Sequence, residues 1–193
     1  MFKYISAAAI TALLCGTAHA HEIRPAIAGV TFTEDGRYAI ELGVNLEALL
    51  AGVSPIHSDN DASPNARAYD ALRALPPHEL RARFDRYATN YLAGIVIEFD
   101  GQRMSPEVTA VEVPAVGDIR LARISQLRLA GAVPPGARVF RWSYAAEFGS
   151  SVLRLPGATA GEVTALWLND GAKSDPYILG VGFQPMTRWQ VAT

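Results

Sequence analysis

The stretch Asp35-Gly36-Arg37-Tyr38-Ala39-Ile40-Glu41-Leu42-Gly43-Val44 decides the fold class. Asp-Gly is a hairpin-turn dipeptide, because both residues tolerate the positive φ that a tight turn demands. Beyond it Tyr38, Ile40, Leu42 and Val44 alternate with Arg37, Ala39 and Glu41. A period of two sets the apolar residues on one face of a strand and the others on the opposite face. Before the turn, residues 23–33 read as a partner strand with Val30 and Phe32 on one face. The two strands form the opening antiparallel hairpin of a sheet.

Downstream the alternation returns. Ile95, Ile97 and Phe99 precede a second Asp-Gly turn, Asp100-Gly101. Further strands are expected over 108–113, 119–129, 138–148, 151–155 and 162–168, with a last edge strand over 176–181. Phe140, Trp142 and Tyr144 share one face of the strongest of these. Between the two strand-rich regions the spacing is helical. Asn45 can cap a short helix over 46–51 that Gly52 ends, and a polar loop follows. Ser63-Pro64 looks like an N-cap with proline in the first helical position, ahead of Tyr69, Leu72 and Leu75. Past Pro76-Pro77, Leu80, Phe84, Tyr87 and Tyr91 fall at intervals of four, three and four. That stripe buries against a sheet, while Arg81, Arg83, Asp85 and Arg86 form a solvated face. The chain is therefore mainly β: an immunoglobulin-like antiparallel β-sandwich of eight or nine short strands, with a helical insertion at about residues 46–93.

The first twenty residues read differently. Lys3 supplies a positive start, residues 5–14 are an apolar core, and Ala18-His19-Ala20 has the small-x-small pattern that signal peptidase accepts. Residues 1–20 are expected to be a signal peptide and 21–193 one domain, periplasmic or secreted. The only cysteine, Cys15, lies in the signal, so the mature chain holds neither disulfides nor thiolate metal sites. A lipid anchor on Cys15 is disfavoured, since Ala12-Leu13-Leu14 puts a bulky residue where such signals want a small one. Loss of Lys3 takes the net charge from −2 to −3, too mild to attract nucleic acid or an anionic membrane. After the signal no apolar run approaches the length that spans a bilayer.

Cleavage after Ala20 would expose His21 as the first residue. Its α-amine and imidazole can chelate one copper or nickel ion together, and a second imidazole would complete a T-shaped set of three nitrogens. His57, in the polar loop, is the expected second ligand, and Asp59 beside it a weaker one. His78 opens the longer helix and reads as a surface residue. Asp59, Asp61, Ser63, Asn65 and Asp70 follow a calcium-loop spacing only in part: Pro64 stands where that loop needs glycine, and an aspartate replaces the bidentate glutamate. No Gly-x-Ser-x-Gly, no phosphate loop and no His-Glu-x-x-His occurs, and no catalytic set emerges. Glu22, Glu41 and Glu47 could pair across a cleft only if the fold brought them together. Trp142, Trp167 and Trp189 are expected in the core and not as a sugar-binding platform.

The segment His21-Glu22-Ile23-Arg24-Pro25-Ala26, followed by a hairpin, resembles the exported N-terminal region of HupE/UreJ-type membrane proteins. That resemblance implies an association with nickel or cobalt uptake and carries over His21 to Pro25 alone. Thr193 follows with none of that family's membrane helices, so the chain is expected to be a free-standing relative of the ectodomain. The resulting expectation is a periplasmic, non-enzymatic accessory that binds one nickel, cobalt or copper ion and serves an inner- or outer-membrane transport protein. The alternative is a metal-free periplasmic interaction module that docks a membrane partner.

Overall fold

Tyr38, Ile40, Leu42 and Val44 all turn inward in the structure, a computed structural model that describes residues 24–53, 64–119, 121–159 and 161–180. They lie on β2 (Arg37–Val44), which pairs antiparallel with β1 (Ala26–Phe32) across the Asp35-Gly36 turn. Ala26, Ala28 and Val30 complete that inner face of the hairpin.

Among the described residues, ten strands build two sheets. The remaining eight are β3 (Ile95–Phe99), β4 (Gln102–Met104), β5 (Glu107–Glu112), β6 (Ser125–Ala132), β7 (Val139–Tyr144), β8 (Ser151–Pro156), β9 (Val163–Leu168) and β10 (Tyr177–Ile178). One sheet runs β5-β6-β2-β1-β8-β9 and the other β10-β7-β3-β4. Their inner faces share one apolar cluster, in which Leu127 and Leu129 of β6 and Leu153 and Leu155 of β8 meet Ile95, Ile97, Phe99, Phe140 and Trp142. This is the expected β-sandwich. One pair departs from a purely antiparallel plan: β1 and β8 run parallel, Ala26 opposite Ser151. The chain leaves β7 through a short 3-10 turn, Ala146–Phe148, and enters the other sheet alongside β1 in the same direction.

Among the described residues, three helices interrupt the strands: α1 (Leu46–Ala51), α2 (Ala66–Arg73) and α3 (Pro77–Ala93). Of the α3 stripe, Leu80, Phe84 and Tyr91 are buried in the sandwich cluster and Tyr87 packs against it half-buried. Each fully buried apolar side chain of this size contributes about 2 kcal/mol, which holds the insertion to the end of the sandwich. Among the described residues, no helix is long and apolar enough to cross a membrane.

Four expectations need correction. The strand expected from residue 119 begins at Ser125, and Ile119 and Leu121 are 59% and 65% exposed. Arg123 is drawn down into an ion pair with Glu47, which takes the preceding segment off the sheet. The strand expected to run to 148 stops at Tyr144 and tightens into the 3-10 turn. Helix α2 starts at Ala66 and not at Pro64, since Asn65 turns its side chain to Gly52 and makes no cap bond, while Ser63 lies outside the described residues. Trp167 is exposed where a core residue was expected: β9 is a sheet edge, and its alternation puts Trp167 on the outer face. Trp142 is fully buried as expected, while Trp189 lies outside the described residues.

Candidate functional site: a cleft between the insertion and the sandwich

Local chemistry at the β2–α1 junction shapes a cleft at this end of the molecule. Asn45 caps α1, its Oδ1 accepting from the Ala48 N–H at 3.0 Å, and its Nδ2 donates to the Tyr69 hydroxyl at 2.9 Å. The same amide thus starts one helix and fastens another. Gly52 closes α1 in the left-handed region, φ 65°, which a residue with a Cβ reaches only at a cost. The N–H of Val53 then returns to the Ala48 carbonyl at 3.0 Å. Asn65 Nδ2 donates to the Gly52 carbonyl at 2.8 Å, which ties the end of α1 to the residue before α2.

The opposite wall comes from β7 and the 3-10 turn. Tyr144 is buried and shares a hydroxyl–hydroxyl hydrogen bond of 2.9 Å with Tyr91 of α3. Phe148 packs on both rings, with centroids 5.0 Å from Tyr91 and 5.4 Å from Tyr144. This close seat needs Gly94: a Cβ there would meet the Phe148 ring at 2.3 Å.

Between the walls lies a cleft of about 260 Å³ lined by Arg24, Asn45, Val53, Tyr87, Tyr144, Glu147 and Phe148, among others. Among the described residues it holds one guanidinium, Arg24, and one exposed carboxylate, Glu147. The phenols are not anions at neutral pH. Burial raises Tyr144 above its ordinary range, though its bond from Tyr91 opposes the shift, and burial followed by the nearby Glu147 charge raises Tyr87. Each therefore serves as a neutral hydrogen-bonding group and not as a phenolate ligand or base.

His21, His57 and Asp59, the expected metal ligands, lie outside the described residues. Among the described residues, no group of three or more histidines, cysteines or carboxylates is placed to hold a metal ion. His78 is exposed on the first turn of α3 and does not line the cleft. The carboxylates that might have paired are held by arginines: Glu47 by Arg123 at 2.6 Å and Glu41 by Arg128 at 2.8 Å. The described members of the calcium-like spacing serve the helices, Asn65 bonded to Gly52 and Asp70 beside Arg73 at 3.6 Å. Two cleft residues were invisible to pattern reading. Glu147 sits in what reads as a continuing strand, and the nearness of Arg24 to Val53 depends on tertiary packing.

No protein-family model, no curated protein and no solved structure matches the chain.

Proposed function

We propose that this is an exported periplasmic protein that binds one transition-metal ion, nickel, cobalt or copper, and presents it to a membrane transport protein. His21 is the anchor, through its α-amine and imidazole, with His57 as second ligand and Asp59 as a further oxygen donor. One observation carries the reading: Arg24 and Val53 line the same cleft. Arg24 follows His21 by three residues and Val53 precedes His57 by four. Three residues span at most about 11 Å and four at most about 14 Å, so both imidazole-bearing segments depart within reach of one cleft. Glu147 adds an exposed carboxylate to that cleft, which favours a cation nearby. The resemblance of His21 to Pro25 to the exported part of nickel- and cobalt-associated membrane proteins supports the same metals.

The test is a titration of copper(II) and nickel(II) into protein whose N-terminus has been verified by mass spectrometry. One equivalent should bind, and His21→Ala or one extra residue before His21 should weaken binding by about 100-fold, because the five- or six-membered chelate is lost. A secreted protein that starts elsewhere, or equal binding by His21→Ala, would leave the metal-free interaction module as the reading.

A further inference from the structure

The sheet edges of this sandwich are not alike. β5 carries a bulge between Val108 and Ala110 and a glutamate at each end. β4 is three residues long with Arg103 at its centre, and β10 is two residues long. Bulges, charges and brevity are the devices by which proteins discourage strand addition. β9 has none of them. Its six residues, Val-Thr-Ala-Leu-Trp-Leu, hold no charge and no proline, and they pair with β8 without a register shift. Val163 and Trp167 are 61% and 60% exposed. Among the described residues, no strand pairs with the outer side of β9.

The hairpin register shows which backbone groups face outward. The Gly157 N–H donates to the Glu162 carbonyl at 2.7 Å, and Pro156, which has no N–H, stands opposite Val163. Hydrogen-bonded and non-bonded pairs alternate along an antiparallel ladder. Thr164, Leu166 and Leu168 therefore bond to β8, and Val163, Ala165 and Trp167 turn their N–H and C=O groups away from it. Trp167 is also fixed in place: its indole N–H donates to Asn169 Oδ1, which accepts from Ser150 Oγ as well.

We propose that β9 pairs antiparallel with β9 of a second copy, across a two-fold axis through Ala165, joining two six-stranded sheets. In that register Val163 of one copy faces Trp167 of the other, twice, and the small Ala165 meets itself on the axis. Aromatic and β-branched residues make favourable cross-strand pairs. All three outward residues of each copy exchange both of their backbone bonds. The strand brings no charge to desolvate, and a chain net charge of −2 opposes association only weakly. A ladder of six residues is about 20 Å long. A single strand pair of that length buries less than the roughly 800 Å² per partner of a stable complex, so the dimer is weak and depends on concentration.

Sedimentation velocity on the intact protein, from about 1 μM to about 500 μM, should show conversion of monomer to dimer. Ala165→Lys sets two ammonium groups on the axis and should raise the dissociation constant at least about 10-fold. Leu121→Lys, on the exposed loop leading into β6, should leave it unchanged. A second readout on the wild type covers a variant that folds poorly: amides of Val163, Ala165 and Trp167 should gain exchange protection as concentration rises. A wild type that stays monomeric, protection independent of concentration, or an Ala165→Lys dimer of equal strength would each overturn the proposal.

Discussion

Arg123, in the loop leading into β6, donates from Nε to Oε1 of the fully buried Glu47 on α1 across 2.6 Å. Its Nη1 also donates to the carbonyls of Leu75 at 3.1 Å and Pro114 at 3.3 Å. One guanidinium thus ties α1, the α2–α3 junction and the incoming loop together. Arg73 is buried in the same pocket, its guanidinium over the Tyr69 ring at 5.1 Å, so the site holds two cations and one well-buried anion.

Removing that anion leaves the buried Arg123 without its ion-pair partner, while Arg73 keeps Asp70 at 3.6 Å. Glu47→Ala should therefore lower stability by about 3–5 kcal/mol. The Glu47→Leu/Arg123→Leu double variant should lose much less, since it buries apolar groups in place of charges. Urea unfolding followed by tryptophan fluorescence checks both. Equal losses in the single and double variants would refute the account.

Tyr38 supplies a pH-dependent counterpart. Its ring is buried on β2, its hydroxyl has no hydrogen-bond partner among the described residues, and burial pushes the phenol from 10.0 up to about 12. Above pH 10 the unfolded chain releases this proton while the folded chain retains it. The native state then binds more protons, so this contribution is full below pH 10 and is lost as pH rises toward 12. Tyr38→Phe removes the unpaired hydroxyl and should be neutral or stabilising by up to about 1 kcal/mol at pH 7. Its advantage over the wild type should grow above pH 10 in denaturant melts. An advantage that shrinks there would contradict the sign.

The Tyr38 strand also shows what the sequence makes legible. A clean period of two, an Asp-Gly turn before it and an Asn–Gly frame around residues 46–51 are local signals, and each appears in the structure as read. What local patterning misses is tertiary choice. Ile119 and Leu121 carry strand-like apolar character, yet Arg123 takes their segment to Glu47. Trp167 alternates as a core residue does, but only the strand order reveals that β9 is an edge and that its odd-numbered residues face out. The cleft was hidden for the same reason: Arg24, Val53 and Glu147 are far apart in sequence, and only tertiary packing brings them to one cleft. The histidine pairing at His21 and His57 rests on chemistry and chain length alone, because both lie outside the described residues.

Gly94 predicts how tightly one wall of that cleft is built. Its missing Cβ makes room for Phe148, which packs on Tyr91 and Tyr144. Gly94→Ala forces the ring out of this seat and should cost about 1–3 kcal/mol, as overpacking generally does. Pairing it with Phe148→Leu should recover part of the loss. Thermal melts of the two variants decide it. A harmless Gly94→Ala would mean that the Phe148 ring is free to move.

In the proposed site, metal affinity should follow proton release from the amine and imidazoles. Both must be unprotonated to bind, so nickel(II) or copper(II) affinity should climb steeply between about pH 5.5 and pH 7.5. Glu147 lines the same cleft as Arg24, and in the proposed site it acts through its charge alone. Water screens an exposed carboxylate strongly, so Glu147→Gln should weaken binding only about 2- to 5-fold and leave the slope with pH unchanged. His21→Ala should instead weaken binding about 100-fold and flatten the pH dependence, because the chelating pair is gone. Calorimetric titrations at three pH values separate these effects. If Glu147→Gln weakened binding as much as His21→Ala, the carboxylate would be a direct ligand and the N-terminal chelate would lose its place as the anchor.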